Sequence, residues 1–141
     1  MHQCVGQTSP SVYIICDKLL PRLFLKRNQS MSKYHNEKTT VGKYTFDSKK
    51  EAERFIELRA MLNKHEIQYL ALQVPFELQP AFTAKSGTKY RKVEYVADFV
   101  YQLDGEWIVE DVKGFRTPVY QLKKKLFAYK YRGDGLEITE I

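Results

Sequence analysis

Asp104-Gly105, set between two apolar runs, constrains this chain more than any other feature. Asp-Gly supplies the left-handed positions of a tight turn whose twist matches paired strands. Residues 89–103 and 106–113 are therefore expected to form a β-hairpin closed by a two-residue loop. Leu103 then faces Glu106, and counting along the ladder sets Asp98 directly opposite Asp111. Hydrogen-bonded and open pairs alternate, and this rung is an open one, with Cα atoms about 4.5 Å apart. Side chains alternate between faces. One face carries Val96, Asp98, Val100, Val109, Asp111 and Lys113; the other carries Ala97, Phe99, Tyr101, Ile108, Glu110 and Val112.

Two carboxylates opposed across an apolar patch repel each other. A divalent cation relieves them, and hard oxygen ligands are what Mg²⁺ takes. Lys113 adds a positive charge on the same face. The register selects Asp111 rather than Glu110 as the ligand; a three-residue loop would reverse that choice. The plainer alternative is a solvated rim on which Lys113 merely pairs with the two acids.

The rest of the chain reads as α, β, β, β, α, β. A helix is expected from Asp47 to about Lys64. Ser48 with Glu51 fits a capping box, and Glu51, Phe55, Leu58 and Leu62 share one face. A charge on that apolar stripe is unexpected, so Glu51 is a third candidate ligand beside its capping role. Residues 69–80 read as strand, with Pro75 pointing to an edge or bulge, and Ser86-Gly87 marks a turn. A second helix is capped by Thr117-Pro118 and ended by Gly133 and Gly135, with Val119, Leu122, Leu126 and Tyr129 as its core stripe. Leu136 to Ile141 reads as a last short strand.

Residues 1–30 do not conform. They contain both cysteines, Cys4 and Cys16, and no basic stretch before their apolar run. They are expected to be a poorly ordered leader or upstream extension, with Met31 as the natural start and residues 31–141 as one domain. No run of eighteen apolar residues occurs, so no membrane span is expected. CxxC pairs, HxxxH spacing, a Walker A loop and a GxSxG elbow are all missing. An enzyme built on this chain must draw its chemistry from carboxylates, lysines or tyrosines.

The net charge of +6 favours a polyanionic partner, nucleic acid before an anionic membrane surface. From Lys113 to Arg132 no acid interrupts Lys113, Arg116, Lys123, Lys124, Lys125, Lys130 and Arg132, and aromatics are interleaved with them. Such a helix suits tracking of phosphates without base readout, although a solvated amphipathic helix has the same pattern. Lys33, His35 and Lys38 are further candidate contacts.

Ser48-Lys-Lys-Glu51, Tyr95-Val-Ala-Asp98-Phe and Val109-Glu-Asp111-Val-Lys113-Gly114 together resemble the PD-(D/E)XK nuclease superfamily. Residues 31–132 look most like a phage and prophage family numbered 1064 among the domains of unknown function. Ser32-Lys-Tyr-His-Asn36, Phe46-Asp-Ser-Lys-Lys-Glu-Ala-Glu-Arg54 and Glu110-Asp-Val-Lys-Gly-Phe115 carry that likeness. The layout is also similar to phage endonuclease I, a Holliday-junction resolvase, and to the endonuclease subunit of Tn7-like transposases. Ala97 stands where the motif's name has proline.

The resemblance implies an α/β (α+β) fold with a restriction-endonuclease-like αβββαβ core, a central mixed sheet flanked by helices. It implies a metal-dependent DNA endonuclease acting on branched or duplex DNA in phage replication or recombination, in the cytoplasm of a bacterial host. Glu51, Asp98 and Asp111 would be metal ligands, joined by the Val112 backbone carbonyl, and Lys113 the catalytic lysine. Mg²⁺ is the expected ion, with Mn²⁺ as an alternative. Arg116, Lys123, Lys124, Lys125 and Lys130 would hold DNA. A homodimer follows only by analogy with the resolvases. The competing readings are a non-catalytic DNA- or RNA-binding module on the same fold and an interaction protein whose charge only keeps it soluble.

Overall fold

In the computed structural model of the protein, residues 38–141 and the strand Tyr13–Ile15 are described. The expected start at Met31 and the rest of the expected leader lie outside the described residues. Helix α1, Lys49–Asn63, begins where Ser48 Oγ accepts the Glu51 N–H at 3.2 Å. It ends in a Schellman turn: Glu66 N donates to Met61 O and His65 N to Leu62 O, with His65 at φ 60° in the place usually taken by glycine. Helix α2, Pro118–Lys130, has Thr117 Oγ1 accepting Tyr120 N–H at 3.1 Å and proline in its first turn. Both caps are those expected from the sequence.

Five strands form the main sheet in the order β1 (Tyr13–Ile15), β4 (Gln68–Gln79), β7 (Val93–Leu103), β8 (Glu106–Asp111), β9 (Ile138–Glu140). All neighbours are antiparallel except β8 and β9, which are parallel because α2 crosses between them. The β7–β8 ladder has the expected register, with Leu103 opposite Glu106 and Phe99 opposite Glu110. Asp104 and Gly105 take φ 51° and 86° in the turn. Pro75 lies inside β4, opposite Val96 on β7. Its other side is beyond the β1 ladder, which covers Leu70 to Leu72, so β4 is a described edge at Pro75.

The fold is thus mixed α+β, with one helix on each face of a mixed sheet. Phe55, Leu58 and Leu62 of α1 pack with Leu70, Leu72, Phe99 and Tyr101. Tyr120 and Phe127 of α2 pack with Ala71, Tyr95, Val100, Val109 and Ile138 on the other face. A small hairpin of β2 (Thr39–Val41) and β3 (Tyr44–Phe46) closes the first core, where the Tyr44 and Phe46 rings each lie 5.0 Å from Phe55. A second small hairpin, β5 (Phe82–Thr83) with β6 (Lys89–Tyr90), stands on the ends of β4 and β7 and surrounds the expected Ser86-Gly87 turn.

Two expectations are corrected. The stripe Val119, Leu122, Leu126 and Tyr129 does not face the core; Leu122 is 57 % exposed and Phe127 fully buried. The helix offers two apolar stripes, and the sheet takes the aromatic one. Phe127 meets Phe76 edge-on at 5.0 Å, Tyr95 at 5.5 Å and Tyr131 at 4.8 Å, so flat rings fill the layer between helix and sheet. The second correction concerns side-chain alternation along β7, which holds only on one side of Asp98. Phe99 and Tyr101 face α1 as expected, but Ala97 and Tyr95 pack on the α2 side together with Val100. On β4 the same switch falls at Gln73 (φ 53°), between Leu72 on the α1 side and Val74 on the α2 side. Both strands change face at one rung, and that rung carries Asp98.

Candidate functional site

The β7–β8 ladder stops one rung before Asp98 and Asp111. Past that point Asp98 itself bridges the strands: its Oδ2 accepts Val112 N–H at 2.8 Å, and its Oδ1 accepts Gln73 Nε2 at 3.1 Å. Gln73 lies between Leu72, opposite Phe99, and Val74, opposite Ala97, so the β4–β7 register itself sets this donor beside Asp98. Burial, reinforced by the adjacent Asp111 and by Glu51, pushes the Asp98 carboxyl up to about 8, against the lowering pull of Val112 N–H.

Asp111 is fully buried. Its Oδ2 accepts the Tyr95 hydroxyl at 2.6 Å. Its Oδ1 stands 2.6 Å from Lys113 Nζ, yet makes no hydrogen bond of acceptable geometry. Lys113 Nζ also lies 4.6 Å from the centroid of the Tyr120 ring. Tyr95 and Tyr120 thus steer both members of the Asp-x-Lys pair. Neither is singled out in the sequence, although Tyr95 sits in the motif that carries Asp98.

Glu51 reaches the same neighbourhood from the first turn of α1. Its Oε1 accepts the Ser48 hydroxyl at 2.9 Å. Burial raises its carboxyl above the ordinary range, Ser48 opposes this, and Lys113 is near enough to lower it too. The structure therefore gathers Glu51, Asp98, Asp111 and Lys113 around one end of the β7–β8 pair. Val112 contributes its N–H there, while its side chain packs in the α1-side core.

Glu110 faces the other way, as the register requires. It receives Arg54 Nε at 2.7 Å, a second Arg54 nitrogen at 2.8 Å and the Tyr101 hydroxyl at 2.8 Å. That two-pronged ion pair ties α1 to β8 and leaves Glu110 no free oxygen for a metal.

Of the expected DNA contacts, Arg116 and Lys124 both pair with Glu140, whose carboxyl Lys124 and then Tyr120 hold down at about 2. Lys130 lies 3.4 Å from Glu77. Lys123 is half-buried and Lys125 exposed, and among the described residues neither is in an ion pair. Glu140 escapes sequence reasoning because it sits on the last strand, far along the chain from its partners. Lys38 is exposed, and Lys33 and His35 lie outside the described residues. A cleft of 410 Å³ opens at Lys113, lined also by Gly114, Phe115, Arg116, Glu140 and Ile141; Glu51, Asp98 and Asp111 do not line it. A larger hollow of 580 Å³ at the far end of α2 has no carboxylate in its lining and plays no part here.

Among the described residues, no three His, Cys, Asp or Glu side chains are grouped so as to hold a metal ion. The donor chemistry fits a hard cation nonetheless. Asp111 Oδ1 is a buried oxygen without a hydrogen bond, and burial, then the nearby Asp111 and Glu51, disfavour the charged form of Asp98. Glu51 keeps its Oε1 on the Ser48 hydroxyl.

No helix among the described residues is long and apolar enough to cross a membrane. No curated protein and no solved structure matches the chain. A family model does match, over residues 31–139, and on it the chain belongs to the family described as proteins of unknown function, DUF1064.

Proposed function

We propose that the chain is a divalent-metal-dependent DNA endonuclease with the restriction-endonuclease-like core of the PD-(D/E)XK superfamily. The observation that carries this reading is the Asp98–Asp111 pair where β7 and β8 part, with Lys113 against Asp111 and Glu51 alongside. A pure binder of polyanions gains nothing from clustered buried acids facing its ligand.

Asp98, Asp111 and the Val112 carbonyl would hold Mg²⁺ or Mn²⁺, with Glu51 as a further ligand. When bound, the ion supplies Lewis-acid polarisation of the phosphate and a more acidic water. Tyr95 orients Asp111 through its hydroxyl. Lys113, braced by Asp111 and the Tyr120 ring, stabilises charge developing on the phosphoryl oxygens. Water adds to phosphorus, one ester oxygen leaves, and no side chain is consumed. Arg116, Lys123, Lys124, Lys125 and Lys130 hold the DNA backbone. Branched DNA, a homodimer matching the two-fold symmetry of a junction, and a place in phage recombination inside the host cell belong to the same proposal.

A second reading, a non-catalytic nucleic-acid-binding module, draws support from Glu51, which is engaged in capping α1 through Ser48. Cleavage of labelled four-way-junction, single-stranded and linear duplex DNA separates the two. The expected result is cutting with Mg²⁺ or Mn²⁺ that EDTA abolishes, strongest on the junction. Binding without cutting under either metal would leave the binding module.

The Asp98 carboxyl gives a test independent of turnover. Its folded value is about 8 against an ordinary 3.8, so between those limits the folded protein keeps a proton that the unfolded chain releases. That contribution is fully present below the ordinary value and is lost as pH rises to about 8. The amide introduced by Asp98→Asn does not titrate. In EDTA, the Tm of Asp98→Asn should therefore gain on wild type steadily from pH 4 to 8. At pH 8, Mg²⁺ should raise the Tm of wild type but not of Asp98→Asn. A Tm difference that stays flat across this range would show that the Asp98 carboxyl is not held above its ordinary range in the folded protein.

A further inference from the structure

The β5–β6 hairpin buries almost nothing, since every residue from Phe82 to Tyr90 except Ala84 is exposed. Local bonds hold it together. Ala84 N donates to Thr88 O at 2.8 Å, Gly87 N to Ala84 O at 2.8 Å, and the Ser86 and Thr88 hydroxyls meet at 3.0 Å. The Phe82 and Tyr90 rings stack across the ladder at 4.9 Å and 16°, although each is about half exposed. Isolated two-stranded ribbons are marginal in water, so a ribbon kept outside the core calls for a use.

Its charge indicates that use. Between Gln79 and Lys92 lie Lys85, Lys89, Arg91 and Lys92 with no acid. Lys92 pairs with Glu94, and Lys85, Lys89 and Arg91 have no ion-pair partner among the described residues. The ribbon continues the two strands that carry Gln73 and Asp98, so its direction is tied to the candidate site. The pairing keeps one register from Gln79 opposite Val93 to Phe82 opposite Tyr90. Tyr90 precedes Asp98 by eight residues, a distance of about 26 Å along an extended strand. On duplex DNA, that spans about eight base pairs.

We infer that the β5–β6 ribbon is a second nucleic-acid contact, an arm that grips the phosphate backbone of duplex DNA about eight base pairs from the scissile position. The inference rests on the nuclease reading and adds to it a footprint. A two-stranded ribbon has the width that the major groove admits. Lys85, Lys89 and Arg91 supply the phosphate contacts, and the stacked rings stiffen the ribbon.

The test is binding of the full chain to a duplex of about two helical turns, in EDTA so that nothing is cut, by fluorescence anisotropy across a salt series. Wild type is compared with the triple variant Lys85→Ala, Lys89→Ala, Arg91→Ala and with the charge-keeping triple Lys85→Arg, Lys89→Arg, Arg91→Lys. Thermal melts check that all three are folded. The alanine variant should bind ten- to a hundred-fold more weakly at low salt. Its slope of log affinity against log salt should be shallower by about 2.7, three lost phosphate contacts. The charge-keeping variant should retain both. Equal slopes for wild type and the alanine variant would overturn the arm alone. A wild type with no salt-dependent duplex binding would overturn the nuclease reading together with the arm.

Discussion

Replacing Asp111 with asparagine is expected to lower DNA cleavage by about a thousand-fold, a loss of roughly 4 kcal/mol of transition-state stabilisation. The side chain keeps its size, so the amide oxygen introduced by Asp111→Asn can still accept the Tyr95 hydroxyl. What disappears is the negative oxygen at 2.6 Å from Lys113 Nζ, the buried oxygen that makes no hydrogen bond in the present structure. Lys113 then loses its brace, and the proposed cation loses a ligand. Duplex binding in EDTA should not weaken, because a negative charge facing a polyanion has been removed. The two readouts are measured on the same preparation, initial cleavage rate with Mg²⁺ and anisotropy without it. Cleavage that survives the substitution would remove Asp111 from the site. A parallel collapse of binding would indicate damage to the fold instead.

The second large effect concerns stability. Phe127→Ala should cost about 3–5 kcal/mol, because Phe127 is fully buried and touches three other rings, so its removal leaves a void that rigid neighbours cannot fill. Leu122→Ala, five residues earlier on the same helix, should cost less than about 1 kcal/mol, because that side chain is mostly in solvent. Urea unfolding of the two variants beside wild type measures both. The order of the two effects is the informative quantity. A leucine more costly than the phenylalanine would mean that α2 turns its other stripe to the sheet.

Those two substitutions mark the boundary of what the sequence could tell. The hairpin register was legible because Asp-Gly admits few turns, and a turn with a defined residue count dictates every pair behind it. Glu51, Asp98, Asp111 and Lys113 were legible for the same reason: a charge on an apolar face is conspicuous, and period arithmetic carries it to its neighbours. Both helix starts were legible because an N-cap is a local bond, as Ser48 and Thr117 show.

Tertiary packing decided the rest. Helix α2 carries an aliphatic stripe and an aromatic one, and the sheet beneath, with Phe76 and Tyr95 projecting from it, takes the aromatic one. The change of face at Gln73 and Asp98 is a property of two strands deforming together, which neither strand's sequence announces. The partners Gln73, Tyr95, Tyr120 and Glu140 come from elements separated in the chain and meet only when the sheet forms. Local bonds and periodicity are short-range and survive in the sequence; which surfaces meet, and which oxygen is left without a hydrogen bond, depends on how the completed layers fit.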